Sequence, residues 1–360
     1  MNIAKKSSRR SFLNLGAGAA AALGLSDVLA PLARAASMSG RACVCIYLIG
    51  GNDSNNMVVP LDSPAYEVYA GARGPLALPK SSLLPVDSGG SGRFGFHPNL
   101  PGLRDLYNQN ALAILANVGQ PSMAANHTGA SQLRYLPNGY LAVPWADPVF
   151  ASMEHGVTMA APDASGAHAK GLAQAIRAGR SAGNFPDTHF GSRLQVVAQA
   201  LVSGAAHQPV FLVPLEGFDT HDNQLARQAA AFSILDAGLT AFYQSMHDAG
   251  LNDRVTVYTD TEFNRTLVPN PNRGTGHGWG GHQMILGGSV LGGRMYGRFP
   301  SHQVGGADDA TGTGVWRPST LDLQYVATIA GWYGKTGLEN TPGYEGLRGI
   351  SPQRLDFMAG

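Results

Sequence analysis

Four short apolar runs recur along the chain, and each stops abruptly at polar or glycine residues. Ala42 to Ile49 ends in Gly50-Gly51-Asn52-Asp53, and Leu112 to Val118 ends in Gly119-Gln120-Pro121. Pro209 to Pro214 ends in Glu216-Gly217-Phe218-Asp219, and Arg254 to Thr259 ends in Asp260-Thr261-Glu262. Short runs of this kind, bounded by turn residues, are the profile of buried strands. Between the last two the period changes: Leu225, Ala229, Phe232, Leu235, Leu239, Phe242 and Met246 recur at steps of three and four, which describes one long amphipathic helix. Strands alternating with helices imply an α/β fold with a mostly parallel sheet covered on both faces. Ligands in such folds gather beyond the carboxyl ends of the strands. The polar strand ends are therefore expected on one rim.

The chain has 360 residues, of which 47 are glycine, so many turns must carry unusual backbone conformations and loop-built sites are expected. Ser63 to His97 and Pro121 to His168 are rich in turn residues and read as elaborations over the rim; Pro269 to His282 and Gly287 to Gly314 are also glycine-rich. No repeat period of 20 to 50 residues is present. With 25 Lys+Arg against 24 Asp+Glu the net charge is +1, which gives no footprint for nucleic acid or an anionic membrane. Cys43 and Cys45 lie two apart in an apolar run, where a strand points both to one face, and core packing is the plain reading.

The amino terminus has an order of its own. Ser8-Arg9-Arg10-Ser11-Phe12-Leu13 is followed by an apolar Ala/Gly/Leu stretch from Asn14 to Leu32 and then by Ala33-Arg34-Ala35, a small-x-small cleavage site. Residues 1–36 thus read as a twin-arginine signal peptide, with the twin-arginine translocase as the implied partner and a periplasmic or secreted location as the implied destination. Gly16, Gly18, Gly24, Asp27 and Pro31 make the same stretch a poor membrane span. No later run is long and apolar enough for one, and residues 37–360 read as a single domain.

Acids and imidazoles collect where the rim would gather them: Asp53, the run Asp219-Thr220-His221-Asp222, Glu262, and the glycine loop Gly274-Thr275-Gly276-His277-Gly278. Carboxylate oxygen with imidazole nitrogen suits zinc, manganese or a similar divalent cation. Acids at strand ends also cap helices, and Asp219 or Asp222 can do so ahead of the long helix. Arg265 follows Glu262 by three residues and can pair with it or meet an anionic substrate. His97, His247 and His302 read as turn or surface residues. Neither a P-loop spacing nor a strand-linked dinucleotide fingerprint occurs, so no nucleotide cofactor is expected.

Five stretches together are recognisable. Leu48-Ile49-Gly50-Gly51-Asn52-Asp53-Ser54-Asn55-Asn56, Gly217-Phe218-Asp219-Thr220-His221, Thr261-Glu262-Phe263-Asn264-Arg265, Gly274-Thr275-Gly276-His277-Gly278, and Leu321 to Thr328 with Trp332 resemble the exported family called domain of unknown function 1501. That family is similar in architecture to the alkaline phosphatase and sulfatase superfamily. The resemblance implies a three-layer α/β/α sandwich, with Asp53, Asp219, Glu262 and His277 in metal-ligand places and His221 beside them. Departures are visible: Glu262-Phe263 stands where phosphatases carry an Asp-His pair, Asn223 stands where a His is expected, and Gly276 replaces an Asp. Asn126-His127 stands where the family has a Ser-His pair, which leaves Ser122 or Thr128 as alternative hydroxyl nucleophiles beside His127. Direct attack by water activated at the ion is the other route. Two functions follow: a metal-dependent hydrolase of phosphate or sulfate esters, or a non-catalytic member acting in binding or assembly at the cell surface. The resemblance also suggests a companion exported protein.

Overall fold

Every side chain of β1 (Ala42–Leu48) is buried, as expected of a strand covered on both faces. The computed structural model describes residues 40–88, 92–120, 134–135, 141–142, 151–152, 158–160, 183–204, 209–341 and 344–359. After β1 come α1 (Ser54–Met57), β2 (Val58–Pro60), α2 (Ala65–Arg73), β3 (Leu84–Asp87), β4 (Arg93–Phe96), α3 (Pro101–Asn108) and β5 (Leu112–Gly119). The middle of the chain holds β6 (Arg134–Tyr135), β7 (Leu141–Ala142), β8 (Ala151–Ser152), β9 (Thr158–Ala160), α4 (His189–Ser203) and β10 (Val210–Leu215). The last part holds α5 (Gln224–Asp248), β11 (Val255–Thr261), β12 (Gly281–Leu286), β13 (Met295–Tyr296), β14 (Thr320–Leu321) and α6 (Asp322–Tyr333).

The central sheet has nine strands in the order β13-β5-β12-β11-β1-β10-β9-β8, with β14 also paired to β5. It is mixed. β12 and β9 are antiparallel to their neighbours, so the other seven strands run in one direction. The four strands read from the sequence, β1, β5, β10 and β11, are among those seven. Leu48 pairs with Leu215 on one side and Thr261 on the other, so three strands end level and deliver their loops to one rim.

Alternation along β1 divides the core in two. Ala42, Val44, Ile46 and Leu48 face α3, α4 and α5 through Leu103, Leu194, Val197, Phe232, Leu235 and Leu239. Cys43, Cys45 and Tyr47 face α6 through Tyr325, Ile329 and Trp332, and both cysteines are buried thiols outside any disulfide. This is the α/β/α layering expected. The stripe read as a long helix is α5, of 25 residues, with Phe232, Leu235, Leu239, Phe242 and Met246 buried. The segment expected to elaborate the rim between Ser63 and His97 carries α2 and supplies β3 and β4 to a small antiparallel sheet, β2-β4-β3. No helix among the described residues is long and apolar enough to cross a membrane.

Candidate metal centre

Three side chains from two rim loops converge. Asp219 and His221 follow β10, and His277 stands in the glycine loop between β11 and β12. The loop is folded back so that His277 faces Arg265 in an antiparallel bridge, with Thr266 N–H donating to Gly276 O at 3.0 Å. Thr275 N–H donates to Thr220 O at 3.1 Å and Asn270 Nδ2 donates to His221 O at 2.8 Å, which ties this loop to the one after β10. Gly274 permits the approach, since a Cβ there would meet the carbonyl carbon of His221 at 2.1 Å.

His221 Nε2 lies 3.1 Å from His277 Nε2 and 3.1 Å from Asp219 Oδ1. One imidazole nitrogen can donate to one of these neighbours, not to both, so lone pairs are left facing one another. The spacing suits a shared cation: at zinc–ligand bond lengths of about 2.0 to 2.2 Å, donor atoms of a tetrahedral shell sit roughly 3.3 Å apart. One ligand atom from each of the three residues falls within 4.8 Å of the others. His221 and Asp219 have side chains 47% and 48% exposed, so the group is open to solvent on one side.

The inner side is held rigidly. The rings of Phe263 and His277 stack with centroids 4.2 Å apart. The buried guanidinium of Arg265 donates to Asp219 Oδ1, to Gly50 O, to Gly51 O at 3.0 Å and to Thr275 O at 3.2 Å. Burial pulls this guanidinium down from its ordinary range and the Asp219 carboxylate opposes that pull. Glu262 completes the clamp: its Oε2 accepts from Gly50 N–H at 2.9 Å and Gly51 N–H at 3.0 Å. Glu262 thus takes the amides of the glycine pair while Arg265 takes its carbonyls. Both glycines have positive φ, +109° and +86°, and a Cβ on Gly51 would meet the Phe263 ring at 2.2 Å.

The residues singled out from sequence therefore separate into groups. Asp219, His221 and His277 come together. Asp53 does not join them: it caps α1, its Oδ1 accepting from Asn55 N at 3.0 Å and Asn55 Nδ2 at 2.9 Å, while Oδ2 accepts from Arg73 and Gln224. Glu262 serves the Gly50–Gly51 turn, and Arg265 pairs with Asp219 instead of Glu262. The capping alternative fails for Asp219, since the cap position of α5 is Asn223, which makes no side-chain cap, and Asp222 pairs with Arg227 at 3.2 Å. Ser122, His127 and Thr128 lie outside the described residues.

Two histidines read as turn or surface residues are buried, although His97 does open a turn, its carbonyl accepting from Leu100 N–H at 3.0 Å. His97 is 2% exposed with its ring against Phe232, and its Nδ1 accepts from Asn99 N–H at 3.1 Å. His302 is 1% exposed, packed by Phe299, Trp316 and Tyr69, and neither ring nitrogen has a hydrogen-bond partner among the described residues. Burial lowers the pKa of His97 to about 4 and that of His302 to about 3, the latter also through Arg73. His282, buried against Phe299, is likewise lowered to about 3. Sequence reasoning missed Arg73, the buried partner of Asp53, which sits at the end of α2 in a stretch read as loop.

An α/β/α sandwich with an Asp/His group at the carboxyl rim of its sheet is the class that fold and site define. Within it, residues 150–314 match the family described as "Protein of unknown function (DUF1501)", the family whose motifs the sequence carries. The matched stretch takes in Asp219, His221, Glu262, Arg265 and His277, and stops short of Asp53. No curated protein matches the chain.

Proposed function

We propose that the protein is an exported metal-dependent hydrolase of phosphate or sulfate esters, with one divalent ion such as zinc or manganese held by Asp219, His221 and His277. The observation that carries this reading is the approach of His221 Nε2 to 3.1 Å from both an imidazole nitrogen and a carboxylate oxygen. Three protein ligands leave a position for water or substrate, as catalytic zinc sites do. When bound, such an ion polarises an ester oxygen and makes water a nucleophile near neutral pH. The chain's own residues prepare that chemistry: Arg265 orients the Asp219 carboxylate, Phe263 sets the plane of His277, and the exposed edge at His221 admits substrate. The resemblance to the alkaline phosphatase and sulfatase superfamily supports the ester class. The twin-arginine motif in residues 1–36 supports export to the periplasm or beyond through the translocase, and the family resemblance supports a companion exported protein.

The test is turnover of a panel of phosphate and sulfate esters by folded protein loaded with zinc or manganese. Hydrolysis that disappears in His221→Ala and His277→Ala is the expected result. The second reading, a non-catalytic protein acting in binding or assembly at the cell surface, draws support from Asp53 and Glu262 being spent inside the fold. Stoichiometric metal without turnover on any ester would favour it over the hydrolase.

A further inference from the structure

Residues 301–307 form a surface loop in which a single residue is buried. Ser301, Gln303, Val304 and Gly305 are exposed, whereas His302 is turned inward and is 1% exposed. Its ring fills the space between Tyr69, Phe299 and Trp316, with ring centroids 5.8, 5.5 and 5.6 Å away. The backbone is bent to deliver it: φ at His302 is +58°, a left-handed conformation that a residue with a side chain adopts only where its surroundings hold it.

Those surroundings offer the ring no polar anchor. Neither ring nitrogen has a hydrogen-bond partner among the described residues, so apolar contact alone retains the ring. A buried N–H without an acceptor already makes the inward position costly. A proton added there does more, creating a second unpaired N–H and a positive charge beside the fully buried Arg73 guanidinium of α2. The other titratable groups facing the ring give no relief. The Tyr69 hydroxyl donates to Asn56 Oδ1 at 2.9 Å and accepts from Leu78 N–H at 3.0 Å, and His282 of β12 is itself a buried uncharged imidazole. Asp308, at the base of the loop, is committed to Ser301 N–H at 3.0 Å and to Arg298 at 2.6 Å.

We propose that His302 is an acid-released latch: uncharged, it plugs the space against Tyr69, Phe299 and Trp316, and on taking a proton it leaves for solvent and opens residues 301–307. Release is the easier path, because the loop around the ring is already exposed and only this side chain has to be withdrawn. Inside, burial holds the pKa at about 3; outside, the ring titrates near its ordinary 6.5. The open form is therefore favoured as pH falls below 6.5, about tenfold per pH unit. Asp308 and Asp309, which hold Ser301 N–H and Gly305 N–H, are lowered from 3.8 and stay charged above about pH 5, so they do not supply this dependence. The latch uses none of the three metal-centre residues and does not depend on the hydrolase reading.

The experiment is amide hydrogen exchange of the full chain by NMR, read as protection factors at about pH 7.5 and about pH 5. Ser301, Gly305 and Gly306 N–H, each paired in the closed loop, report the latch, while the amides of β1 and β11 report global unfolding. Wild-type protection at the loop should fall about thirtyfold between the two pH values, the effect of one proton, with β1 and β11 remaining the better protected. His302→Phe, which keeps an aromatic plug that takes no proton, should hold the loop closed at both pH values. His302→Asn, which tolerates the left-handed backbone but leaves the space unfilled, should expose the loop at both. Wild-type loop protection that does not change with pH, the same fall in His302→Phe, strong protection in His302→Asn, or loop amides that exchange no faster than those of β1 and β11 would each overturn the proposal.

Discussion

Acidification should destabilise this protein steeply from about pH 6.5 downward, because three histidines are buried uncharged. His97, His282 and His302 are each at most 2% exposed, and their pKa values are lowered from 6.5 to about 4, 3 and 3 by loss of hydration. In the unfolded chain each binds a proton near its ordinary value, so between about pH 6.5 and pH 4 the unfolded state holds more protons than the native state. Stability is then fully present above pH 6.5 and falls as pH falls, until the folded pKa values are passed. At pH 4.5 each histidine has cost about 2 pH units at 1.4 kcal/mol per unit, roughly 8 kcal/mol for three. That is comparable with the whole stability of an ordinary domain, about 5 to 15 kcal/mol. Asp308 and Asp309, whose pKa values are lowered from 3.8, give up their contributions only at still lower pH. The assay is urea unfolding followed by circular dichroism between pH 7 and 4.5, with a chelator present so that metal binding at His221 and His277 does not contribute. His282→Asn keeps an acceptor for the Asn117 N–H, which lies 3.0 Å from His282 Nδ1. It should reduce the slope by about 1.4 kcal/mol per pH unit. A loss below about 2 kcal/mol between pH 6.5 and 4.5 would refute the reasoning.

Other outcomes follow from the same contacts. Arg73→Met strands the fully buried Asp53 carboxylate and should destabilise by about 3 to 5 kcal/mol, with much of this recovered in the Asp53→Asn double variant, measured by urea midpoints. Gly51→Ala drives a methyl into Phe263 at a positive φ and should cost at least about 2 kcal/mol in a thermal melt. It should also weaken metal binding measured by calorimetry, since Phe263 carries His277. The two thiols, buried in the core, with Cys43 raised well above its ordinary pKa by loss of hydration, should resist a thiol reagent in native protein and react after denaturation.

The central strands were legible because strands buried on both faces leave uninterrupted apolar runs, as in Ala42–Leu48 and Val210–Leu215, and α5 because its stripe runs without a break. β12 was not, since Gly281 and His282 open it directly out of a glycine loop. The small sheet was hidden for a similar reason: Val58–Pro60 and Arg93–Phe96 are three and four residues long, too short to show a period. At the site, residue type marked Asp53, Asp219, Glu262 and His277 as candidates, but type alone does not say which carboxylates are already occupied. Arg73 lies 20 residues from Asp53 and Arg265 lies 46 from Asp219, and only the tertiary fold pairs them. His302 stands in a polar stretch with nothing local to announce burial; Tyr69 and Trp316, distant in sequence, enclose it.

The metal content of the folded chain is the most direct test of an ion held by Asp219, His221 and His277. Elemental analysis of protein equilibrated with zinc or manganese and then desalted should find one ion per chain in the wild type and in Asp53→Asn. His221→Ala and His277→Ala should carry less than about a tenth of that. No bound ion in the wild type, or the same stoichiometry in both histidine variants, would contradict it.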